Sequence, residues 1–246
     1  MVPWRGRLNF RQYLPDKSHK YGVKIYKLCS PDGYTCKFKI YVGKGDITSG
    51  KGHKQKIMLH LIHDFLGHGR LLYADNYYNS VELAEALLKR KTYLCGTLRK
   101  DLKSNPKTVI SKKLKKGEVY AQENKQGVKV ISWVDKRRVN LISTRPEDGD
   151  NLLPSKKTNR NNEPIMKPSC VLAYNDAKKG VDVSDQMSSY YSPLRKTSKW
   201  YKKVALELLL GTCVVNAFVV FNSVREKKAK WDMLKFRSVF CWQESL

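Results

Sequence analysis

Three aspartates stand out in a chain that is otherwise basic. Asp182 and Asp185 lie three residues apart in "KKGVDVSDQM", and Asp75 follows the apolar run "LLYA". In-line attack on a phosphodiester develops charge on the entering and leaving oxygens. Two Mg²⁺ ions can stabilise both, and such hard cations need clustered carboxylate oxygens. A spacing of three points Asp182 and Asp185 to one side of a helix. The C-terminal end of a buried strand, where Asp75 would sit, is where open α/β sheets carry functional groups. Carboxylates repel a polyanion unless a metal reverses the sign. The same residues have a plainer use: Asp at a helix start is a common cap, and Asp after a strand commonly starts a loop. Spacing alone leaves both uses open, capping being the commoner.

The bases point the same way. Lys and Arg total 48 against 22 Asp and Glu, a net charge of +26. Such an excess suits a polyanion, with nucleic acid the leading partner and an anionic membrane surface the alternative. Between Lys89 and Lys116 bases crowd a stretch whose one acid is Asp101, and "LRKTSKWYKK" (194–203) interleaves bases with Trp200 and Tyr201. Such mixtures suit phosphate contact and base stacking, against the bland alternative of a solvated charged face. The six cysteines contain no CxxC spacing, and runs such as "TYLCGTL" and "GTCVVNAF" suggest buried, reduced thiols. His60 and His63 alone are a weak zinc signal.

Elements that would carry these residues are legible in outline. "YGVKIYKLCS" (21–30) and "YTCKFKIYVGKG" (34–45) alternate around the turn signal "PDG", predicting a hairpin. Helical spacing covers 53–66, a buried strand begins at 69, Ser80 can cap a helix over 81–91, and 92–100 reads as another buried strand. Residues 118–144 hold three short alternating segments, followed by a polar, Pro- and Asn-rich loop. "SCVLAYNDA" restarts a short strand, and a helix follows Gly180. The apolar run Val204–Val224 is long enough to consider as a membrane span. It carries Glu207, Asn216 and Asn222, so a helix buried in a globular core is the preferred reading, with no membrane partner. The N-terminal "MVPWRGRLNF" has no apolar core of signal-peptide length. The order is that of an α/β fold, a mixed sheet flanked by helices.

In order, "RGRLNFRQYLPDKSHKYGVKIYKLC", "DNYYNSVELAEALL", "CGTLRK" and "YNDAKKGVDVSDQMSSYYSPLRKTSKWYKK" resemble the catalytic core of a piggyBac-type transposase. The likeness runs from about Arg5 to Asn222. It implies an RNase H-like fold with a β-rich insertion before the last catalytic aspartate: core over 1–100 and 169–224, insertion and exposed loop over 101–168, basic tail over 225–246. It also implies Mg²⁺-dependent hydrolysis and strand transfer through a hairpin intermediate, with insertion at TTAA, a nuclear location, DNA as partner, and a homodimer. Asp75 matches the second catalytic aspartate and Asp182 the third, with Asp185 in support of the metal site. Arg99 and Asn76 match family residues at the DNA. Arg5, Arg7, Arg195, Lys196, Lys199 and Trp200 are expected to contact DNA alongside them.

Two departures qualify the expectation. The family's first catalytic aspartate ends the first strand, and here that position is Ser30. Asp32, two residues on, is the substitute candidate for the catalytic set. The family's N-terminal region and Cys/His-rich C-terminal zinc module also have no counterpart here, where Cys241 stands alone near the end. The expectation is therefore a truncated relative whose fold binds DNA and whose catalysis is lost or impaired. The alternatives are an active Mg²⁺-dependent transposase and a domesticated, non-catalytic interaction protein.

Overall fold

The alternation that starts at Tyr21 breaks at Lys24, and its two halves join different sheets. The computed structural model describes residues 1–240 except Arg160, Tyr191 and Pro193, so Cys241 lies outside the described residues. The chain forms two compact units: Met1–Ser49 with Lys179 onward, and Gly50–Lys178. In the first unit β1 (Val2–Pro3), β2 (Gln12–Tyr13) and β3 (Tyr21–Val23) make a small antiparallel sheet in the order β1-β3-β2. Strands β4 (Ile25–Cys29) and β5 (Thr35–Ile40) form the expected hairpin around Pro31-Asp32-Gly33. Gly33 has φ 95°, a left-handed conformation that only glycine adopts without strain.

The second unit runs α1 (His53–Ile62), β6 (Leu71–Ala74), α2 (Val81–Leu88), β7 (Tyr93–Thr97), α3 (Lys107–Ser111), β8 (Val119–Glu123), β9 (Lys129–Val134) and β10 (Arg138–Ser143). The hairpin β11 (Leu152–Thr158) and β12 (Pro164–Pro168) and helix α4 (Ser169–Ala177) complete it. Ser80 caps α2 as expected, its Oγ accepting from the Leu83 N–H at 3.2 Å. Leu83 and Leu87 are fully buried on its inner face, each contributing about 1.5–3 kcal/mol. The sheet is mixed, in the order β6-β7-β10-β9-β8, with β6 parallel to β7 and the rest antiparallel. The boundaries expected at 100/101 and 168/169 fall inside this unit because β10 pairs with β7, Leu141 opposite Thr97 and Ser143 opposite Cys95. "SCVLAYNDA", expected as a strand, is helix α4. Cys170, Val171 and Tyr174 share one helical face and pack with Cys95, Ile131, Trp133 and Leu141.

The first unit resumes with α5 (Gly180–Ser189), α6 (Trp200–Leu206), a π-helical turn over Glu207–Thr212, α7 (Cys213–Ser223) and α8 (Met233–Phe240). The stretch Trp200–Ser223 passes the length and apolarity test for a membrane span. Glu207, Asn216 and Asn222 within it, however, are bonded into the unit. Glu207 accepts from the Ser188 hydroxyl at 2.8 Å, Asn216 exchanges two hydrogen bonds with the Thr35 backbone, and Asn222 exchanges two with the Trp231 backbone. Burial is one-sided, where a helix buried in a globular core was expected: Val204, Gly211, Thr212 and Val215 are buried while Leu209, Leu210 and Val220 are exposed. The expected tail also folds. Met233 and Phe236 on α8 close an aromatic cluster with Phe218, Phe221 and Trp231.

Candidate functional site

In the first unit, the β4–β5 turn and helix α5 are locked together by small residues. A Cβ on Gly180 would lie 2.4 Å from the Ser30 carbonyl oxygen, and one on Gly33 would lie 2.8 Å from Met187 and 2.9 Å from Val183. Glycine at both places lets the turn and the helix start approach backbone to side chain. Below the turn, Thr35 Oγ1 and Ser184 Oγ are 3.1 Å apart, and Asn216 Oδ1 accepts from the Thr35 N–H at 2.7 Å. Burial pushes the Cys29 thiol up, despite a hydrogen bond with Thr35, so it stays neutral at pH 7.

The carboxylates of this unit are individually accounted for. Asp182 is exposed in the first turn of α5, where no side chain caps the helix, and it has no hydrogen-bond or ion-pair partner among the described residues. Asp185 Oδ1 lies 2.8 Å from Lys27 Nζ, and the Lys27 side chain is only 6% exposed. Asp32 is exposed and turns back on its own loop, accepting from the Ser30 hydroxyl and, at 3.4 Å, from the Tyr34 N–H.

In the second unit, Asp75 follows β6 and starts a turn. Its Oδ1 accepts from the Tyr77 N–H at 3.1 Å, and its carbonyl accepts from Tyr78 and Asn79. Asp75 and Asn76 are exposed. Buried Asn79 fixes this turn to the sheet, its Nδ2 donating to the carbonyls of Ala74 and Thr97 at 2.8 Å each. Gly96 leaves room for it, since a Cβ there would sit 1.9 Å from the Ala74 carbonyl oxygen. Arg99 forks onto Asp101 through Nε at 3.1 Å and Nη2 at 2.6 Å. That hydrogen-bonded pairing raises the Arg99 pKa and lowers that of Asp101.

A family model described as Transposase IS4 matches residues 1–218. The chain belongs to this transposase family. Its type is piggyBac. The human PiggyBac transposable element-derived protein 3 is 26% identical over 260 aligned positions, covering 96% of this chain and 41% of the relative. The human Chimeric ERCC6-PGBD3 protein matches at the same identity, with 23% of its length covered. A cryo-EM structure of the piggyBac transposase synaptic complex with hairpin DNA superposes with a TM-score of 0.81 at 27% identity, covering 96% of this chain and 48% of that one. The chain thus spans less than half the length of these relatives.

A hard divalent cation needs several free carboxylate oxygens. Here Lys27 neutralises Asp185, Asp32 serves its own turn, and Ser30 offers a neutral hydroxyl. Within each unit, among the described residues, no three His, Cys, Asp or Glu side chains gather as a ligand set. Of the expected metal set, the first unit therefore supplies Asp182 without a partner among the described residues and Asp185 paired with Lys27, while Asp75 belongs to the second unit. Of the basic residues expected at DNA, Arg5, Arg7, Arg195, Lys196 and Lys199 are exposed. Trp200 is half-buried, edge-on to Phe10 at 5.0 Å, in the cluster around Val2, Val23 and Val204. Lys27, Asn79 and Asn216 were missed by sequence reasoning. Of these, only Asn216 had a local signal, as a polar residue inside an apolar helix.

Proposed function

We propose that this piggyBac-type chain is a DNA-binding core with an RNase H-like catalytic architecture whose phosphodiester chemistry is impaired. The observation that carries the reading is the Lys27–Asp185 ion pair: an ammonium engages a carboxylate a metal would need, and Ser30, on the turn after the same strand, offers a hydroxyl where the resemblance implies the first carboxylate. DNA as partner is supported by the net charge of +26 and by the DNA complex of the piggyBac transposase it resembles. A nuclear location and a homodimer belong to the same reading.

Nicking of supercoiled plasmid in Mg²⁺ or Mn²⁺ tests it. The expected result is no cleavage above the Asp182→Ala control, and cleavage gained in a Ser30→Asp/Lys27→Met double variant. Wild-type cleavage that disappears in Asp182→Ala would sink the impaired-catalysis reading. Failure to retain any DNA at about 50 mM salt, where phosphate contacts are least screened, would sink the DNA-binding reading.

A further inference from the structure

The first unit holds a cleft of about 1310 Å³ that none of the carboxylates lines. Its walls are the N-terminal segment through Tyr21 and the stretch Lys196–Lys203. Five cationic side chains line it: Arg5, Arg11, Lys20, Lys196 and Lys203. Among the described residues Arg5, Lys20, Lys196 and Lys203 have no carboxylate partner. Concentrating unpaired like charges around one concavity is unfavourable unless an anion enters it. Arg11 shapes the wall: its Nη1 donates to the carbonyls of Arg5 and Gly6 at 2.6 and 3.2 Å, so the loop presenting Arg5 is held in place. Trp4 lines the same cleft, and its buried indole N–H has no acceptor among the described residues.

Beside these cations lies an aromatic platform. The Arg11 guanidinium sits 5.0 Å from the Tyr21 ring centroid, and the Tyr13 ring lies 4.9 Å from Tyr21. Tyr13 remains 54% exposed and Tyr21 43%. Exposed rings beside a cationic groove suit bases that stack while phosphates follow the groove, and only unpaired bases offer their faces. We propose that this cleft binds an unpaired polynucleotide strand, with phosphates on Lys20, Lys196, Lys203 and Arg5 and a base against Tyr13 and Tyr21. The proposal rests on the DNA-binding reading and adds the form of the nucleic acid and its site.

Fluorescence anisotropy with a labelled twelve-residue oligothymidine and with a duplex of equal length tests it. Tyr13→Ala is expected to weaken single-strand binding about tenfold, the scale of one lost base stack, and duplex binding less than twofold. Tyr13→Phe is expected to restore it. A Lys20/Lys196/Lys203→Gln triple variant is expected to reduce the single-strand salt slope by about 2, at roughly 0.7 for each phosphate contact. An unchanged slope, or equal losses of single strand and duplex in Tyr13→Ala, overturns the proposal while leaving general DNA binding intact. A wild-type chain that binds neither oligonucleotide overturns both readings.

Discussion

An ammonium 2.8 Å from Asp185 and a hydroxyl at Ser30 set the charge of the α5 site, and comparable pairings operate elsewhere. Asp101 occupies the planar fork of Arg99, the same geometry by which a guanidinium can chelate a phosphate. Asp101→Asn should therefore tighten duplex binding by about two- to fivefold, since an exposed pair is weak competition, with the salt slope steepened by about 0.9. A titration at 50 and 200 mM salt checks both. Asp46 has the opposite role. Burial works against its ionisation, but the Thr48 N–H and hydroxyl and Lys39 Nζ at 3.1 Å outweigh that and lower its pKa. A depressed folded-state pKa stabilises above the unfolded value and is lost as pH falls through the folded one. The stability gap between wild type and Asp46→Asn should thus be full at pH 6 and close progressively below about pH 4. Urea unfolding across that range measures it. Thiol chemistry follows exposure: burial pushes Cys170 up to about 12 and Cys95 higher still, whereas Cys36 and Cys213 are exposed. Alkylation at pH 8 followed by mass spectrometry should label Cys36 and Cys213 well before Cys95 or Cys170. The exposure of Cys213 departs from the buried thiol expected from its apolar run.

At the scale of elements, the contacts that matter are between segments far apart in the chain. Asn216 on α7 supplies both partners for the Thr35 backbone at the start of β5. Asn216→Leu would leave that donor and acceptor unmatched in a partly buried place, at a cost of about 2 kcal/mol. Gly180→Ala would drive a methyl into the Ser30 carbonyl, an overpacking effect of about 1–3 kcal/mol. Thermal unfolding followed by circular dichroism reads both. Elements with clear periodicity or a cap, such as α1, α2 and the β4–β5 hairpin, were legible because their signal is local. Helix α4 was not, because its nine residues carry a mixed pattern whose helical face shows only against Cys95 and Trp133. Nor was the pairing of β10 with β7, which no local residue encodes. Ser30 and Asp182 in the first unit, and Asp75 in the second, were picked out by ordered sequence blocks. The ion pair that neutralises Asp185 was not, since Lys27 is 158 positions away and looks like any other lysine in a basic strand.

For the molecule as a whole, the charge of +26 ties function to ionic strength. If six or more phosphates are contacted, duplex affinity should fall about a thousandfold between 50 and 200 mM salt. A slope near zero would instead mean that the charge is mostly solvated surface.

The one-sided helix has a consequence for the behaviour of copies of this chain toward one another. Leu209, Leu210 and Val220 face water, with Val224 just beyond α7, on a molecule whose like charge keeps its neighbours at a distance. At 0.01 M salt that repulsion reaches about 30 Å, but at 1 M only about 3 Å. Strong brine, by screening that repulsion, therefore lets the greasy faces meet. Colloidal solubility should fall as salt rises, and a Leu209→Glu/Leu210→Lys variant, judged by light scattering, should keep it.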